Sequence, residues 1–145
     1  AIVTNNLGVI ALMKADKETA KPNFLNATDA GNAVDYNLGI INIMDCEYEA
    51  AVNYFQNHKE FNTALSMLLS GKNDSSNKTI DVVEKDVAFN YYLKAVINAR
   101  IGDEAAVMNN LKTAVEKDAD LKGMAKTDLE FRMYFENETF KTIVE

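Results

Sequence analysis

The stretch that decides the fold is DYNLGIINIMDCEYEAAVNYF, from Asp35 to Phe55. Its apolar residues recur at intervals of three and four on both sides of the polar break MDCE. This spacing is typical of one face of a helix, whereas a strand would alternate. Because the break is so short, the second helix must run back along the first, and the stretch predicts an antiparallel helical hairpin.

The same arrangement of small and apolar residues returns along the chain. A small residue in one helix is followed by a small residue 12 positions later, an apolar one 16 later and a small or apolar one 19 later. Four sets fit this template, with two poorer matches at His58 and Val107: Gly8, Ala20, Phe24 and Ala27; Gly39, Ala51, Phe55 and His58; Ala64, Ser76, Ile80 and Val83; Ala95, Val107, Leu111 and Ala114. We interpret the first residue of each set, its anchor, as the place where the paired helix approaches, and the phenylalanines as filling the space towards the next pair. Such hairpins bury both faces only by stacking.

The periodicity also predicts the helices and some of their ends. Main helices are predicted near 1–14, 17–28, 33–44, 48–57, 60–70, 75–83, 86–100 and 103–117, with shorter ones near 120–127 and 129–144. Asn32 and Asp103 are predicted to cap the helices that follow them. Pro22 lies inside the second helix, where it costs about 3 kcal/mol by removing a hydrogen bond to the Glu18 carbonyl. We therefore expect that helix to begin at Thr19 or to bend before Pro22.

The segments NNLGVIALM, ETA and NFLNA, and then YNLGIINIM and EYEAAVNYF, resemble the tetratricopeptide repeat. The resemblance covers about residues 1–117, and the tail AKTDLEFRMYFENETFKTIV is similar to the closing segment of such arrays. It implies an all-α, right-handed superhelix of about four hairpins in a single domain over 1–145. The units would be 1–31, 32–57, 58–84 and 85–118, with 119–145 as a cap. The units are shorter than the usual roughly 34 residues and lack the closing proline.

The narrower resemblance is to tetratricopeptide-type proteins of the Bacteroidetes cell envelope, which implies a periplasmic or cell-envelope location. Since the chain opens on AIVTNNLGVIALM without a methionine, we expect it to be a piece of a longer protein. The net charge of −7 argues against nucleic acid as a partner. No apolar run approaches the roughly 18 residues that a membrane-spanning helix needs, so direct membrane insertion is not expected.

The sequence offers no catalytic, metal or cofactor site. His58 is the one histidine and no nucleophile motif accompanies it, so we interpret it as a packing or surface residue. Cys46 is the one cysteine, interpreted as a small, semi-buried residue. The segment 118–123 begins like a calcium loop, but Lys122 and Leu129 stand where ligands belong. The carboxylate pair Asp128 and Glu130 is interpreted as solvated.

If the resemblance holds, the first helices of the units line a concave groove that binds a peptide or protein partner. The candidate residues lie three before and one past each anchor, or continue that face: Asn5, Val9, Tyr36, Ile40, Ile43, Phe61, Leu65, Leu68, Tyr92, Val96 and Arg100. These positions are expected to be exposed, with aromatic anchors and Arg100 as an orienting charge. The opposite expectation is that the C-terminal segment or a neighbouring domain covers them.

Two further functions compete with a peptide groove. Of the five positions near the family's carboxylate-binding residues, only Asn37 agrees, so capture of a C-terminal carboxylate is not expected. The others are occupied by Asn5, Val9, His58 and Asn62. The competing class is a small-ligand or glycan receptor that uses Tyr36, Tyr91 and Tyr92 as stacking platforms, which a closed pocket around these rings would favour.

Overall fold

The computed structural model describes residues 1–56, 58–84 and 86–145, and within these ranges the chain is helical without any strand. The α-helices are α1 (Ile2–Met13), α2 (Lys17–Leu25), α3 (Asn32–Met44), α4 (Tyr48–Phe55), α5 (Phe61–Leu69), α6 (Asn73–Asp81), α7 (Ala88–Ile101), α8 (Glu104–Lys117), α9 (Leu121–Thr127) and α10 (Glu138–Val144). Short 3-10 helices cover Thr28–Ala30 and Leu129–Tyr134. The prediction of an all-α fold is confirmed.

The chain divides into two compact units, Ala1–Ser70 and Gly71–Glu145. In the first unit, α1 pairs with α2 and α3 with α4, and further contacts join α2 to α3 and α4 to α5. In the second unit, α7 packs between α6 and α8, while α9 and α10 pack on α8 and the 3-10 helix packs on α7. The division falls within the third predicted hairpin, 58–84, because α5 belongs to one unit and α6 to the other.

The positions of the repeated template form the cores of these units. Every one of them is buried except His58 and Val83, which are half-buried. Phe24, Phe55 and Leu111 have no exposed surface at all. Spacing in the sequence therefore predicted the core positions correctly.

The glycine anchors have a different neighbour from the expected one. A Cβ placed on Gly39 would lie 2.6 Å from the Phe55 ring, and one on Gly8 would lie 2.6 Å from the Phe24 ring. Each phenylalanine therefore packs on the glycine of its own hairpin, and the interpretation that it fills space towards the next pair is incomplete. An aromatic ring needs this much room, and only a residue without a side chain leaves it free.

We expect Gly39→Ala to lower the free energy of unfolding by about 1–3 kcal/mol, because the added methyl must displace a fully buried ring. Gly123→Ala in α9 is the matched control, since nothing lies within 4 Å of its added Cβ. Alanine there should be neutral or stabilise by up to about 1 kcal/mol. Urea unfolding followed by circular dichroism measures both. Equal midpoints for the two variants would contradict the packing of Phe55 on Gly39.

The helix starts agree with the sequence in one of three cases. Asp103 caps α8 as predicted, because its Oδ1 accepts a hydrogen bond of 3.0 Å from the Ala106 amide. The cap predicted at Asn32 is wrong: α3 already begins there, and Gly31, with φ of 71°, makes the turn into the helix. For the second helix, the alternative of a start at Thr19 is wrong, since Asp16 caps the helix by accepting from the Thr19 amide; the alternative of a bend before Pro22 stays a prediction.

Pro22 lies inside α2. The carbonyl that loses its partner belongs to Glu18, an exposed residue in the first turn, where water can take the place of the missing donor. At the other end of the chain, the single helix predicted over 129–144 is two elements. Asn137 separates them, because its Oδ1 accepts from the Thr139 and Phe140 amides and starts α10. The predicted boundaries at residues 57 and 85 lie outside the described residues.

Candidate functional site

In the first unit, side-chain hydrogen bonds join α1, α3 and α5, the first helices of the predicted hairpins. The Asn37 amide donates to Asn5 Oδ1 at 3.0 Å, which joins α3 to α1. The Asn62 amide donates to the Tyr36 hydroxyl at 3.0 Å, which joins α5 to α3. The surface around these bonds is called here the α1–α3–α5 face, and it consists of Asn5, Val9, Tyr36, Asn37, Ile40, Ile43, Phe61, Asn62 and Leu65.

Most of the candidate residues of this unit are partly accessible. Half-buried side chains are found at Val9, Tyr36, Ile40, Ile43, Phe61 and Leu65. Asn5 and Leu68 are buried, at 9% and 1% exposed, so the expected exposure of both residues is wrong. The distance of Leu68 from its anchor does not explain its burial, because Ile43 stands four residues after the buried anchor Gly39 and is half-buried.

Tyr36 also holds neighbouring elements together. Its ring meets Phe55 edge-on at 5.3 Å and His58 edge-on at 5.2 Å, and its hydroxyl accepts the bond from Asn62. The sequence interpretation of His58 as a packing residue fits this contact, although its Nε2 has no hydrogen-bond partner. Replacing Tyr36 would disturb packing as well as any surface, so Ile40 and Leu65 are cleaner positions for testing binding.

In the second unit the corresponding residues are covered by the chain itself. Tyr92 and Val96 are 6% and 7% exposed, so their expected exposure is wrong. The Tyr92 hydroxyl donates to Asp128 Oδ2 at 2.8 Å, and its ring meets Phe131 edge-on at 5.6 Å. Burial and the neighbouring Asp128 carboxylate raise the pKa of Tyr92. On α7, then, the C-terminal segment takes the place that a partner was expected to take.

Arg100, the expected orienting charge, is engaged by the same segment. Its Nε donates to Glu130 Oε2 at 2.9 Å, and its Nη2 donates to the other carboxylate oxygen. The hydrogen bonds from Arg100 lower the pKa of Glu130, and those to Glu130 raise the pKa of Arg100. The interpretation of Asp128 and Glu130 as solvated carboxylates is incomplete, because both are partly exposed and also hydrogen-bonded within the unit.

This ion pair gives the second unit an acid-sensitive contact. The pKa of Glu130 lies below its ordinary value of 4.5 when folded, so the contact is fully present above that pH and is lost as the pH falls below it. We expect acidification to cost the wild type up to about 1 kcal/mol more than Glu130→Gln, a small effect because the pair is partly exposed. Urea unfolding at neutral and acidic pH measures the difference. Identical pH profiles for the two proteins would contradict this role of the ion pair.

The receptor hypothesis uses tyrosine rings as stacking platforms. Two of these tyrosines, Tyr91 and Tyr92, lie in the second unit, and both already have partners there. Tyr92 is covered as described. Tyr91 donates to Asp86 at 2.9 Å, and the ammonium groups of Lys94 and Lys117 lie 5.6 and 5.5 Å from its ring centre. A sugar that stacked on Tyr91 would have to displace these cations.

A cluster of charged side chains lies beside Cys46 in the first unit. Cys46 is exposed, with φ of 61°, so its interpretation as semi-buried is wrong. Beside it, Lys17 and Lys21 both donate to the Asp45 carboxylate and lower the pKa of that carboxyl. Across the described residues, no three His, Cys, Asp or Glu side chains are grouped so that they could hold a metal ion. None of the described helices combines the length and the apolar character needed to cross a membrane.

No family model, curated protein or solved structure matches the chain. The function must therefore be inferred from its own residues. Of the candidate apolar residues, those on α1, α3 and α5 are half-buried except Leu68, whereas Tyr92 and Val96 on α7 are buried. The sequence did not indicate the Asn5–Asn37 bond, whose only signal is an asparagine on each of two first helices.

Proposed function

We propose that this chain is a non-catalytic protein-interaction domain of the tetratricopeptide type, with its hairpins arranged as a right-handed superhelix. It binds a peptide or protein segment on the α1–α3–α5 face. The observation that carries the proposal is that three helices joined by side-chain hydrogen bonds each keep apolar side chains that are only half-buried. An apolar surface of this kind typically marks a binding site, because leaving it in water is unfavourable.

The repeated template supports the tetratricopeptide type, since its small anchors and packed aromatic residues form the cores. A scaffold of a larger cell-envelope assembly is the context that the resemblance implies. The glycan-receptor alternative has less support, because Tyr91 and Tyr92 are already engaged. Capture of a terminal carboxylate has little support as well, since no cation lies among the residues of the face.

Ile40→Glu tests the proposal. A phage-displayed library of random peptides is selected on the immobilised chain, and the recovered peptides are titrated against wild type and variant. We expect the variant to bind at least about tenfold more weakly, because an unpaired carboxylate would be desolvated at the centre of the face. Since Ile40 is half-buried, the circular dichroism spectrum should stay that of the wild type.

Met133→Glu is the matched control for that selection. It adds the same charge at a side chain that is 81% exposed in the second unit. The recovered peptides should bind this control as they bind the wild type. Peptides that bind Ile40→Glu and wild type equally well, or a selection that recovers none, would overturn the proposed function.

A further inference from the structure

The three helices of the α1–α3–α5 face are almost without charge. α1 and α5 contain no charged residue, and α3 contains only Asp35. The chain as a whole is 26% charged with a net charge of −7. By contrast, α2 of the same unit carries three charged residues, Lys17, Glu18 and Lys21. Like the helices of the face, α4 is poor in charge, with Glu49 alone, so within this unit the contrast lies between α2 and the other helices.

The second unit shows that an acidic segment packed on such a helix is held by a cation on that helix. On α7, Arg100 stands five residues after the anchor Ala95 and binds Glu130 of the segment that covers this helix. The residues at the same distance from the other anchors are Met13 on α1, Met44 on α3 and Leu69 on α5. An acidic segment would find no counter-ion at these places and would lose the hydration of its carboxylate without compensation.

The polar groups of the face are neutral and keep hydrogen-bonding capacity. A side-chain amide has two donors and an acceptor, and the Asn37–Asn5 bond uses one donor of Asn37 and the acceptor of Asn5. The Tyr36 hydroxyl accepts from Asn62 and can still donate its own hydrogen. Amide and hydroxyl groups match the main chain of an extended peptide. They do not match a helix, whose backbone groups bond to each other.

We propose that the partner of the α1–α3–α5 face is an uncharged, apolar peptide segment in an extended conformation. Its side chains contact Val9, Ile40 and Leu65, and its main chain bonds to the amide of Asn37, which is half-buried. No ion pair holds it. This inference rests on the proposed function and adds the chemistry of the partner to it.

The test uses the peptides recovered from the random library that depend on Ile40. They are synthesised with capped ends and titrated against the chain at about 50 mM and about 500 mM salt, between which the Debye length shortens severalfold. We expect uncharged sequences rich in apolar residues, whose Kd changes less than about twofold with salt. Asn37→Leu should raise the Kd of these peptides about tenfold, because one to two hydrogen bonds are lost from a buried contact.

Met44→Arg supplies the matched comparison. Its side chain is 47% exposed, so arginine is tolerated, and it recreates on α3 the cation of α7. We expect this variant to gain peptides with an acidic residue while its affinity for the uncharged ones stays the same. Ile40-dependent peptides that are charged or that weaken more than about tenfold with salt would overturn this inference and leave the proposed function standing. Unchanged binding to Asn37→Leu would also overturn it, and the absence of any Ile40-dependent peptide would overturn both proposals.

Discussion

Phe55→Ala is expected to lower the free energy of unfolding by about 3–5 kcal/mol, the range for removing a fully buried aromatic ring. The ring has no exposed surface, packs on the backbone of Gly39 and meets Tyr36 edge-on at 5.3 Å. Because Gly39 has no side chain that could move into the void, the cavity left by the ring cannot be filled from that side. The aromatic contact with Tyr36 is lost as well.

Urea unfolding followed by far-ultraviolet circular dichroism measures this effect. Phe89→Ala is the matched control, since that phenylalanine is 49% exposed and its truncation should cost no more than about 1 kcal/mol. A double-mutant cycle adds a second check. Gly39→Ala combined with Phe55→Leu should cost less than the sum of the two changes, because the smaller side chain relieves the crowding. Additive costs, or a loss below about 1 kcal/mol for Phe55→Ala, would contradict the packing described.

Phe131→Ala is expected to have a comparable effect on the second unit, about 3–5 kcal/mol. Its ring is fully buried, meets Tyr92 edge-on and lies 5.8 Å from the Phe140 ring. It therefore joins α7 to α10 through the segment that covers Tyr92. Without the Phe131 ring, the segment that carries Asp128 and Glu130 loses the apolar contact that holds it in place. The α7 surface should then open to water.

Two measurements separate loss of the cover from general destabilisation. Urea unfolding gives the change in free energy, and hydrogen exchange of the α7 amides under native conditions reports on the opening of that surface. Met133→Ala, two residues along and 81% exposed, should change stability by less than about 0.5 kcal/mol and leave exchange as it is. If the α7 amides of Phe131→Ala exchange no faster than those of this control, the segment does not act as a cover.

The candidate site was predictable only in part. Helical periodicity placed Val9, Ile40 and Leu65 on the first helices, and all three are half-buried in the first unit. The same rule placed Tyr92 and Val96 at equivalent positions on α7, where they are buried. Periodicity gives the direction in which a side chain points from its helix, but it does not say what packs there.

The sequence by itself determined the helices and the core positions, because both depend on neighbours close along the chain. A helix places residues three and four apart on one face, and a short turn brings residues 12 and 16 positions apart, such as Gly39 with Ala51 and Phe55, to facing places in one hairpin. These relations follow from backbone geometry and hold before anything else folds. Burial of Phe24 and Phe55 could therefore be anticipated from spacing alone.

Only the tertiary structure decided which of the equivalent surfaces is covered. Tyr36 and Tyr92 occupy the same place relative to their anchors, three residues before Gly39 and Ala95. What distinguishes them lies far along the chain, since Asp128 is 36 residues beyond the tyrosine hydroxyl to which it bonds. A contact of that range depends on how separate helices pack, which no local pattern encodes. The same packing pairs Arg100 with Glu130, 30 residues away. The positive charge of Arg100 is therefore already neutralised within the chain.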